Sequence, residues 1–361
     1  MTPRYMVSGV ALTQVKFARA LAAAGHEVDL IIGRSDPGLK VPELEGVNLV
    51  VLGRRNVRAM LVPLWRYLRA RKPEVVFTSE DHLNIIVLIG AILARSKAKI
   101  SGSSRVTPFD TYSSVPLTKR WVLKQLMRAL AWRADALTCV SSGMVDEYRQ
   151  VFGPTRHTRV FNIVDDPASR AKMAEPLDDP WFADKEQPVI VAAGNLEPWK
   201  AFGDLVKAVA ELHRRGRNVR LLILGDGSRR AELESLVAEL NLGHAVRLPG
   251  NTDNPFKFFA RADVFVLSSL VEGLGNVLVE AMLCGCTPVA TDCPTGPRDI
   301  LQGGRFGYLV PMRDPAGLAD GIERALDHPT RKEQLEEAVR PFEATTILRR
   351  HFELLGLAEI K

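Results

Sequence analysis

Cysteine is scarce in this chain: four residues, Cys139, Cys284, Cys286 and Cys293, among 361. Each sits in or beside an apolar run. The Cys284-Gly285-Cys286 pair is too close for the usual zinc spacing and has no His partner nearby, so buried, reduced thiols are the reading. Neither an Asp-x-Asp nor a His-Glu-x-x-His pattern occurs, so no metal and no cofactor is expected. Also missing is any run of the roughly 18–20 apolar residues that a membrane span needs. Met1 to Tyr5 lacks the apolar core of a signal peptide, and a cytoplasmic location is expected. What is present is an ordinary globular composition, 46% apolar and 25% charged. The length predicts two domains with separate cores.

Charge is divided unevenly. Up to Ile163, Lys and Arg outnumber Asp and Glu by 24 to 12; beyond it the acids lead by 30 to 24. The basic excess sits in Arg54 to Lys72, with Trp65 and Tyr67, and in Lys119 to Arg133, with Trp121 and Trp132. Cations interleaved with aromatic and aliphatic residues at helical spacing make an interfacial amphipathic helix, or else the solvated outer helix of an α/β layer. The first alternative makes the basic half a peripheral partner of an anionic membrane surface. Nucleic acid is not expected, because the aromatics belong to an apolar face rather than an exposed stacking array.

Strand and helix patterns alternate along the chain. Strands are expected near 27–32, 47–52, 74–78, 98–101, 136–140 and 160–164, with helices over 14–24, 58–71, 84–95, 118–132 and 143–151. About seven residues precede Ser8-Gly9, which leaves room for a very short first strand at most. Residues 164–187 are rich in Asp, Pro, Lys and Glu and read as a linker. The alternation restarts at 188 and runs to 340. The tail 341–361 is helical and charged, and is expected to pack back on the N-terminal domain. The fold class is therefore α/β: two Rossmann-like doubly wound domains, 1–163 and 188–340, facing across a cleft. Ligands of such sheets sit beyond the C-terminal strand ends.

The stretch Leu267 to Cys286 organises the second half. A buried-strand run ends at Leu267, a polar Gly-bearing turn follows, and an apolar helix begins near Asn276. Strand, Gly turn and helix together aim backbone N–H groups at an anion. Glu280 is the one charge between Val277 and Cys284, and shares a helix face with Asn276. Glu272 precedes that face on the turn. Carboxylates bracketing such a turn suit a ligand that carries hydroxyls and phosphates. The blander alternative makes Glu280 a solvent-reaching edge residue and Glu272 an ordinary loop acid.

Five motifs follow one another in matching order and spacing: Gly194-Asn195-Leu196-Glu197-Pro198-Trp199-Lys200-Ala201-Phe202, Leu224-Gly225-Asp226-Gly227, Arg247-Leu248-Pro249-Gly250, Glu272-Gly273-Leu274-Gly275-Asn276 with Glu280-Ala281-Met282, and Thr295-Gly296-Pro297-Arg298. Together they resemble the retaining family-4 glycosyltransferases of the GT-B fold, in particular bacterial enzymes that extend sugars on lipid carriers or polysaccharides. In the first half, His26-Glu27-Val28 after Ala-Ala-Ala-Gly is the main match. The resemblance implies a nucleotide-sugar donor, a UDP-sugar first of all, and no metal requirement. It places Glu280 on the ribose, and Glu272 with the amides of Gly273, Leu274, Gly275 and Asn276 on the donor sugar and phosphate. Lys200 would neutralise the leaving diphosphate, Gly225 and Gly227 would line the donor site, and Arg247 and Leu248 would lie near the base by backbone contacts. Four departures stand out. Asn195 replaces the family's usual Arg and Ala201 its Gly, Gly275 replaces a frequent Pro, and Gly102-Ser103-Ser104-Arg105 stands where a His often faces the donor sugar.

The acceptor-side candidates are Ser8, Gly9, Glu80, His82, Ser103 and Arg105. Glu80, Asp81 and His82 follow strand 74–78, where a base could meet an acceptor hydroxyl; the alternative is that Glu80 or Asp81 caps the next helix. Two functions compete. One is a retaining hexosyl- or N-acetylhexosaminyltransferase working on a glycan or lipid-linked acceptor in polysaccharide biosynthesis. The other is a degenerate nucleotide-sugar-binding scaffold that lost chemistry with the Arg at 195. A dinucleotide-dependent dehydrogenase is disfavoured, because Gly194-Asn195-Leu196-Glu197 is not a full G-x-G-x-x-G.

Overall fold

A computed structural model describes residues 1–5, 9–35, 44–183 and 186–357. Ser8 lies outside the described residues. The chain divides into two units: unit 1 is Met1–Ile163 with Glu343–Lys361, and unit 2 is Val164–Phe342.

Unit 1 carries two parallel sheets. The first contains β1 (Thr2–Tyr5), β2 (Val28–Ser35) and β3 (Val47–Val51); the second contains β4 (Val75–Ser79), β5 (Lys99–Ser104), β6 (Ala136–Cys139) and β7 (His157–Arg159). β6 is buried throughout and β5 at all but its first residue, as a parallel sheet covered on both faces requires. The helix Asp81–Ala94 is apolar on most of its circumference and correspondingly buried. Ser141 accepts the Met144 N–H at 3.3 Å and starts the helix Ser142–Phe152. The C-terminal helix Ala344–Leu355 also belongs to unit 1. Its Ile347, Leu348 and Phe352 pack with Phe17, Leu21, Val160 and Ile163.

Two expectations are corrected. Residues 160–164 are not a strand: the Val160 N–H still reaches the Cys139 carbonyl, but the N–H groups of Val164 and Asp165 both turn to the Phe342 carbonyl, at 3.0 and 3.2 Å. Residues 164–187 are not a bare linker, because helices Pro167–Met173 and Pro180–Ala183 lie in them and belong to unit 2. The Asp-Pro pairs that read as linker are helix starts. Asp166 accepts the Ser169 N–H at 2.7 Å ahead of Pro167, and Asp179 accepts the Trp181 N–H at 2.9 Å ahead of Pro180. Asn254 Nδ2 donates to the Lys172 carbonyl at 2.8 Å and fastens the first helix to unit 2.

Unit 2 is one parallel sheet of β8 (Val189–Ala193), β9 (Arg220–Leu224), β10 (Val246–Gly250), β11 (Val264–Leu267), β12 (Thr287–Thr291) and β13 (Tyr308–Val310). Their order is β10-β9-β8-β11-β12-β13. The chain builds outward from β8 in one direction, then returns and builds outward from β11 in the other. The reversal between β8 and β11 opens a crevice at their C-terminal ends, the place where doubly wound sheets take ligands. Ile190, Val206, Leu221, Ile223, Val264 and Ile322 are among the core residues beneath it. Among the described residues no helix is long and apolar enough to cross a membrane.

Candidate active site

The loops that leave β8 and β11 at the reversal are bound to each other. The Leu270 N–H donates to the Trp199 carbonyl at 2.7 Å, and Ser268 Oγ donates to the Lys200 carbonyl at 2.8 Å. The loop after β9 joins them: Leu196 N–H reaches the Asp226 carbonyl at 2.9 Å, and Arg229 N–H returns to the Leu196 carbonyl at 2.9 Å. This closeness explains the glycines. A Cβ on Gly225 would strike the Gly194 carbonyl, and one on Gly227 would strike the Leu196 backbone. Asp226 accepts the N–H of Gly227 with its own side chain, so it shapes this turn.

Across this crevice Lys200 Nζ donates to Glu272 Oε1 at 2.6 Å, and Ser269 Oγ donates to the same oxygen at 2.6 Å. Both members of the ion pair are mostly shielded, with side chains 15% and 12% exposed. The backbone of Glu272 is fixed on both sides, since its N–H donates to the Pro294 carbonyl at 2.7 Å and its carbonyl accepts from Thr295 N–H at 2.8 Å. Thr295 Oγ1 also donates to the Gly273 carbonyl at 3.0 Å. Gly296 packs so tightly on Leu274 that a Cβ there would overlap the Leu274 carbonyl. Ser268 and Ser269 carry no role in the sequence reading, and Thr295 enters it only as part of a motif; the signal lies in the hydroxyls flanking the acidic turn on either side.

Two departures from the family pattern acquire a geometry. Gly275, which caps the helix Asn276–Leu283, has φ +90°, a value closed to proline and strained for any residue with a Cβ. Glycine at this position is thus dictated by the turn. Ala201 has φ +48°, so the chain keeps the left-handed backbone and carries about 1 kcal/mol of strain relative to glycine. Asn195 is exposed.

Glu280 is half-buried on the same helix, and its charge helps push the Cys284 thiol, already raised by burial, up to about 12. The side chain of Arg247 is engaged within unit 2. It stacks on Trp181, 3.9 Å from the ring centroid, and reaches Asp179 at 3.4 Å. The Leu248 carbonyl is taken by Arg230 Nη2 at 2.7 Å. The register shifts between Arg247 and Gly250, which places Leu248 and Pro249 in a bulge. A cavity of about 800 Å³ in unit 2, lined by Pro188, Val219, Asp263 and Thr287, lies at the opposite, N-terminal ends of the strands.

Unit 1 gathers charge at the C-terminal ends of β4 and β5. Asp81 is buried and accepts three hydroxyl hydrogen bonds, from Tyr148 at 2.7 Å and from Tyr112 and Ser104 at 2.9 Å. Burial raises its pKa, while Tyr148, Tyr112 and Ser104 pull it back. Glu80 holds the N-cap position of the helix that follows it, but its side chain makes no cap hydrogen bond. It sits at φ +84°, ψ 134°, backbone territory that is essentially glycine's. Burial pushes its carboxyl up to about 7, against the pull of Arg105 and with a smaller push from Asp81. Arg105, lowered to about 10 by burial, donates to Asn162 Oδ1. Ser103 lies beyond the strand expected at 98–101 but inside β5, where its carbonyl accepts the Glu80 N–H at 3.0 Å and Asn84 Nδ2 at 3.2 Å. His82 is exposed, and Gly9 opens the helix Gly9–Ala23. The partners missed from sequence are Tyr112, Tyr148 and Asn162, which reach this cluster from distant elements.

Residues 174–341 match the family of glycosyl transferases group 1, and residues 8–162 match the glycosyl transferase 4-like domain. An N-acetylgalactosamine-N,N'-diacetylbacillosaminyl-diphospho-undecaprenol 4-alpha-N-acetylgalactosaminyltransferase of Campylobacter jejuni is 32% identical over 208 residues, covering 57% of this chain and 54% of the relative. The lipopolysaccharide core biosynthesis glycosyltransferase LpsE of Rhizobium meliloti is 32% identical over 208 residues, with 56% and 57% covered. The chain thus spans little more than half the length of these two relatives. Among solved structures, Anabaena HepE in complex with UDP and glucose superposes with a TM-score of 0.77 over 99% of both chains at 17% identity. Sucrose-phosphate synthase of Thermosynechococcus elongatus does so with 0.75 over 98% of this chain and 94% of that one, at 20% identity. With family matches in both units and this likeness of fold, the chain belongs to the family-4 glycosyltransferases of the GT-B fold.

Proposed function

We propose that this chain transfers a sugar, with retention, from a nucleotide donor to a glycan or lipid-linked acceptor, and that the donor is a UDP-sugar. The observation that carries the reading is the Lys200–Glu272 pair at the β8/β11 reversal. A diphosphate entering there meets an ammonium already oriented by a carboxylate, beside the N-terminus of the helix Asn276–Leu283. Among the described residues the N–H groups of Gly273, Leu274 and Gly275 have no backbone acceptor, which suits them to phosphate oxygens. In this reading Lys200 takes up the charge that develops on the leaving diphosphate, Glu272 orients that ammonium and faces the sugar, and Glu280 accepts from the ribose. Arg247 and Leu248 approach the base through backbone in this reading, the Arg247 side chain being held by Trp181 and Asp179. The complex of HepE with UDP and glucose and the undecaprenol-linked acceptor in the name of the Campylobacter relative support donor and acceptor in kind.

The test is heat stability and turnover across UDP-, GDP- and ADP-sugars. UDP-sugars should raise the melting temperature and be consumed, and Glu280→Ala should erase the stabilisation. Binding without turnover, with turnover restored by Asn195→Arg, would make the chain a degenerate scaffold. No stabilisation by any of the three would sink both readings.

The acceptor side of the proposal includes an anionic membrane surface. Val115, Leu117 and Trp132 are 62%, 88% and 68% exposed and flank the basic helix Lys119–Leu130. Large apolar side chains standing out beside cations fit a headgroup boundary. Vesicles with anionic lipid should sediment the protein, and zwitterionic ones should not. The double variant Leu117→Asp, Trp132→Asp should lose about tenfold or more of this binding; an unchanged partition would remove the membrane from the account.

A further inference from the structure

β4 and β5 deliver Glu80 and Arg105 side by side at their C-terminal ends. Ser79 is paired with Ser103, and the Glu80 N–H donates to the Ser103 carbonyl at 3.0 Å. Among the described residues Arg105 has one polar contact, from Nη1 to Oδ1 of the buried Asn162. Its Nε is buried without a hydrogen-bond partner, and among the described residues Nη2 has none either. What stays open is the edge of the guanidinium by which arginine grips an acid with two parallel hydrogen bonds. The chain shows that grip elsewhere: Arg170 donates to Asp165 from Nε at 2.7 Å and from Nη2 at 2.6 Å.

An arginine stays protonated, and a desolvated charge without a counterion costs folding free energy. The neighbouring groups do not supply that counterion. Asp81 spends its oxygens on the hydroxyls of Tyr148, Tyr112 and Ser104. Among the described residues Glu80 forms no ion pair with Arg105, and burial holds its carboxyl near 7, so at neutral pH it carries only part of a charge. His351, driven down to about 3 by burial and then by Arg105, is neutral. The Glu80 side chain makes no cap hydrogen bond, which leaves its carboxyl to face a ligand beside the guanidinium.

An open guanidinium edge next to a carboxyl that can accept from a hydroxyl matches a sugar bearing both an acid and a free hydroxyl. We propose that Arg105 reads a carboxylate or phosphate monoester on the acceptor, while a hydroxyl of the same sugar falls to Glu80. The inference rests on the transferase reading above and narrows its acceptor to an acidic one. Arg105 is then a specificity residue: it selects which sugar is held, and Asn162 fixes the plane of its fork. An acid on the donor sugar, or the donor's diphosphate, offers the same chemistry to the same edge, so the test separates the three sources.

The test is the melting temperature of the full chain, with and without UDP, against glucuronate, galacturonate and glucose 6-phosphate, with glucose and galactose as neutral controls. At least one acidic sugar should raise it by about 2 °C or more where the neutral ones do not. Arg105→Gln should weaken that binding about tenfold or more and keep the stabilisation by UDP; Arg105→Lys, a charge without the fork, should fall between. The parent's preference for acidic over neutral sugars is read even where Arg105→Gln fails to fold. Equal response to acidic and neutral sugars would overturn the proposal, as would an acid response that survives Arg105→Gln. So would loss of the UDP response in Arg105→Gln, which hands the guanidinium to the donor's diphosphate. A preference for UDP-glucuronate over UDP-glucose that vanishes in Arg105→Gln would place the acid on the donor and overturn it too. A parent that answers acidic sugars but not UDP would keep this inference and undo the donor reading alone.

Discussion

Replacing Lys200 by alanine is expected to lower kcat about 10²- to 10³-fold, the range seen when one preorganised partner of a developing negative charge is removed. In the ground state its ammonium is satisfied by Glu272 at 2.6 Å. A diphosphate that gains charge as its bond to the sugar breaks offers a stronger partner at that moment than before it. The interaction therefore strengthens on the way to the transition state, which is what moves kcat rather than KM. Folding should lose about 1 kcal/mol, since the pair is partly wet and Glu272 keeps Ser269 Oγ. Lys200→Arg should not restore the rate: a planar guanidinium spreads its charge over a fork and cannot replace one compact ammonium held on Glu272. Steady-state kinetics with a turned-over UDP-sugar, alongside the melting temperature, separate the two effects. A variant that keeps its kcat would remove Lys200 from the chemistry and leave the pair a structural contact.

The second unit was legible in the sequence to the level of strands and turns because its signals are local. Apolar runs of four to six residues, each closed by Gly or a polar turn, give the six strands, and the family resemblance of the motifs implied one donor for Lys200 and Glu272. Their direct contact was not legible. It joins positions 72 apart through the reversal of strand order, a property of the sheet and not of either loop. The Asp-Pro starts at 166 and 179 were misread for a related reason: an N-cap followed by Pro has the composition of a linker, and what separates the two is whether an apolar face follows. At Pro180 that face is Trp181 and Phe182, both buried. In unit 1 the sequence offered capping for Glu80 or Asp81. The hydroxyls that claim Asp81 come from Ser104, Tyr112 and Tyr148, which no periodicity brings together.

Glu80→Gln is expected to make the protein more stable and the enzyme slower. The folded-state pKa of Glu80 lies at about 7, above its ordinary value of 4.5. Between those values the folded chain holds a proton that the unfolded chain has released, so stability falls as pH rises through that window and stays low above it. A neutral amide removes the penalty. The variant should match the parent near pH 4.5 and exceed it by about 1–2 kcal/mol at pH 8, less than the full shift because Glu80 is partly solvated and has Arg105 beside it. Gln keeps the backbone strain at φ +84°, so Glu80→Gly supplies the other half, relief of strain with loss of the side chain. A residue held against both its backbone preference and its charge is a candidate for a role in the transfer. If that purpose is to take the proton from an acceptor hydroxyl, kcat/KM of the parent should rise through about pH 7. Glu80→Gln should then fall about 10²-fold at pH 8 and lose that limb of the profile. A pH profile unchanged by the substitution, with stability gained as above, would reduce Glu80 to a buried acid that serves no step of the transfer.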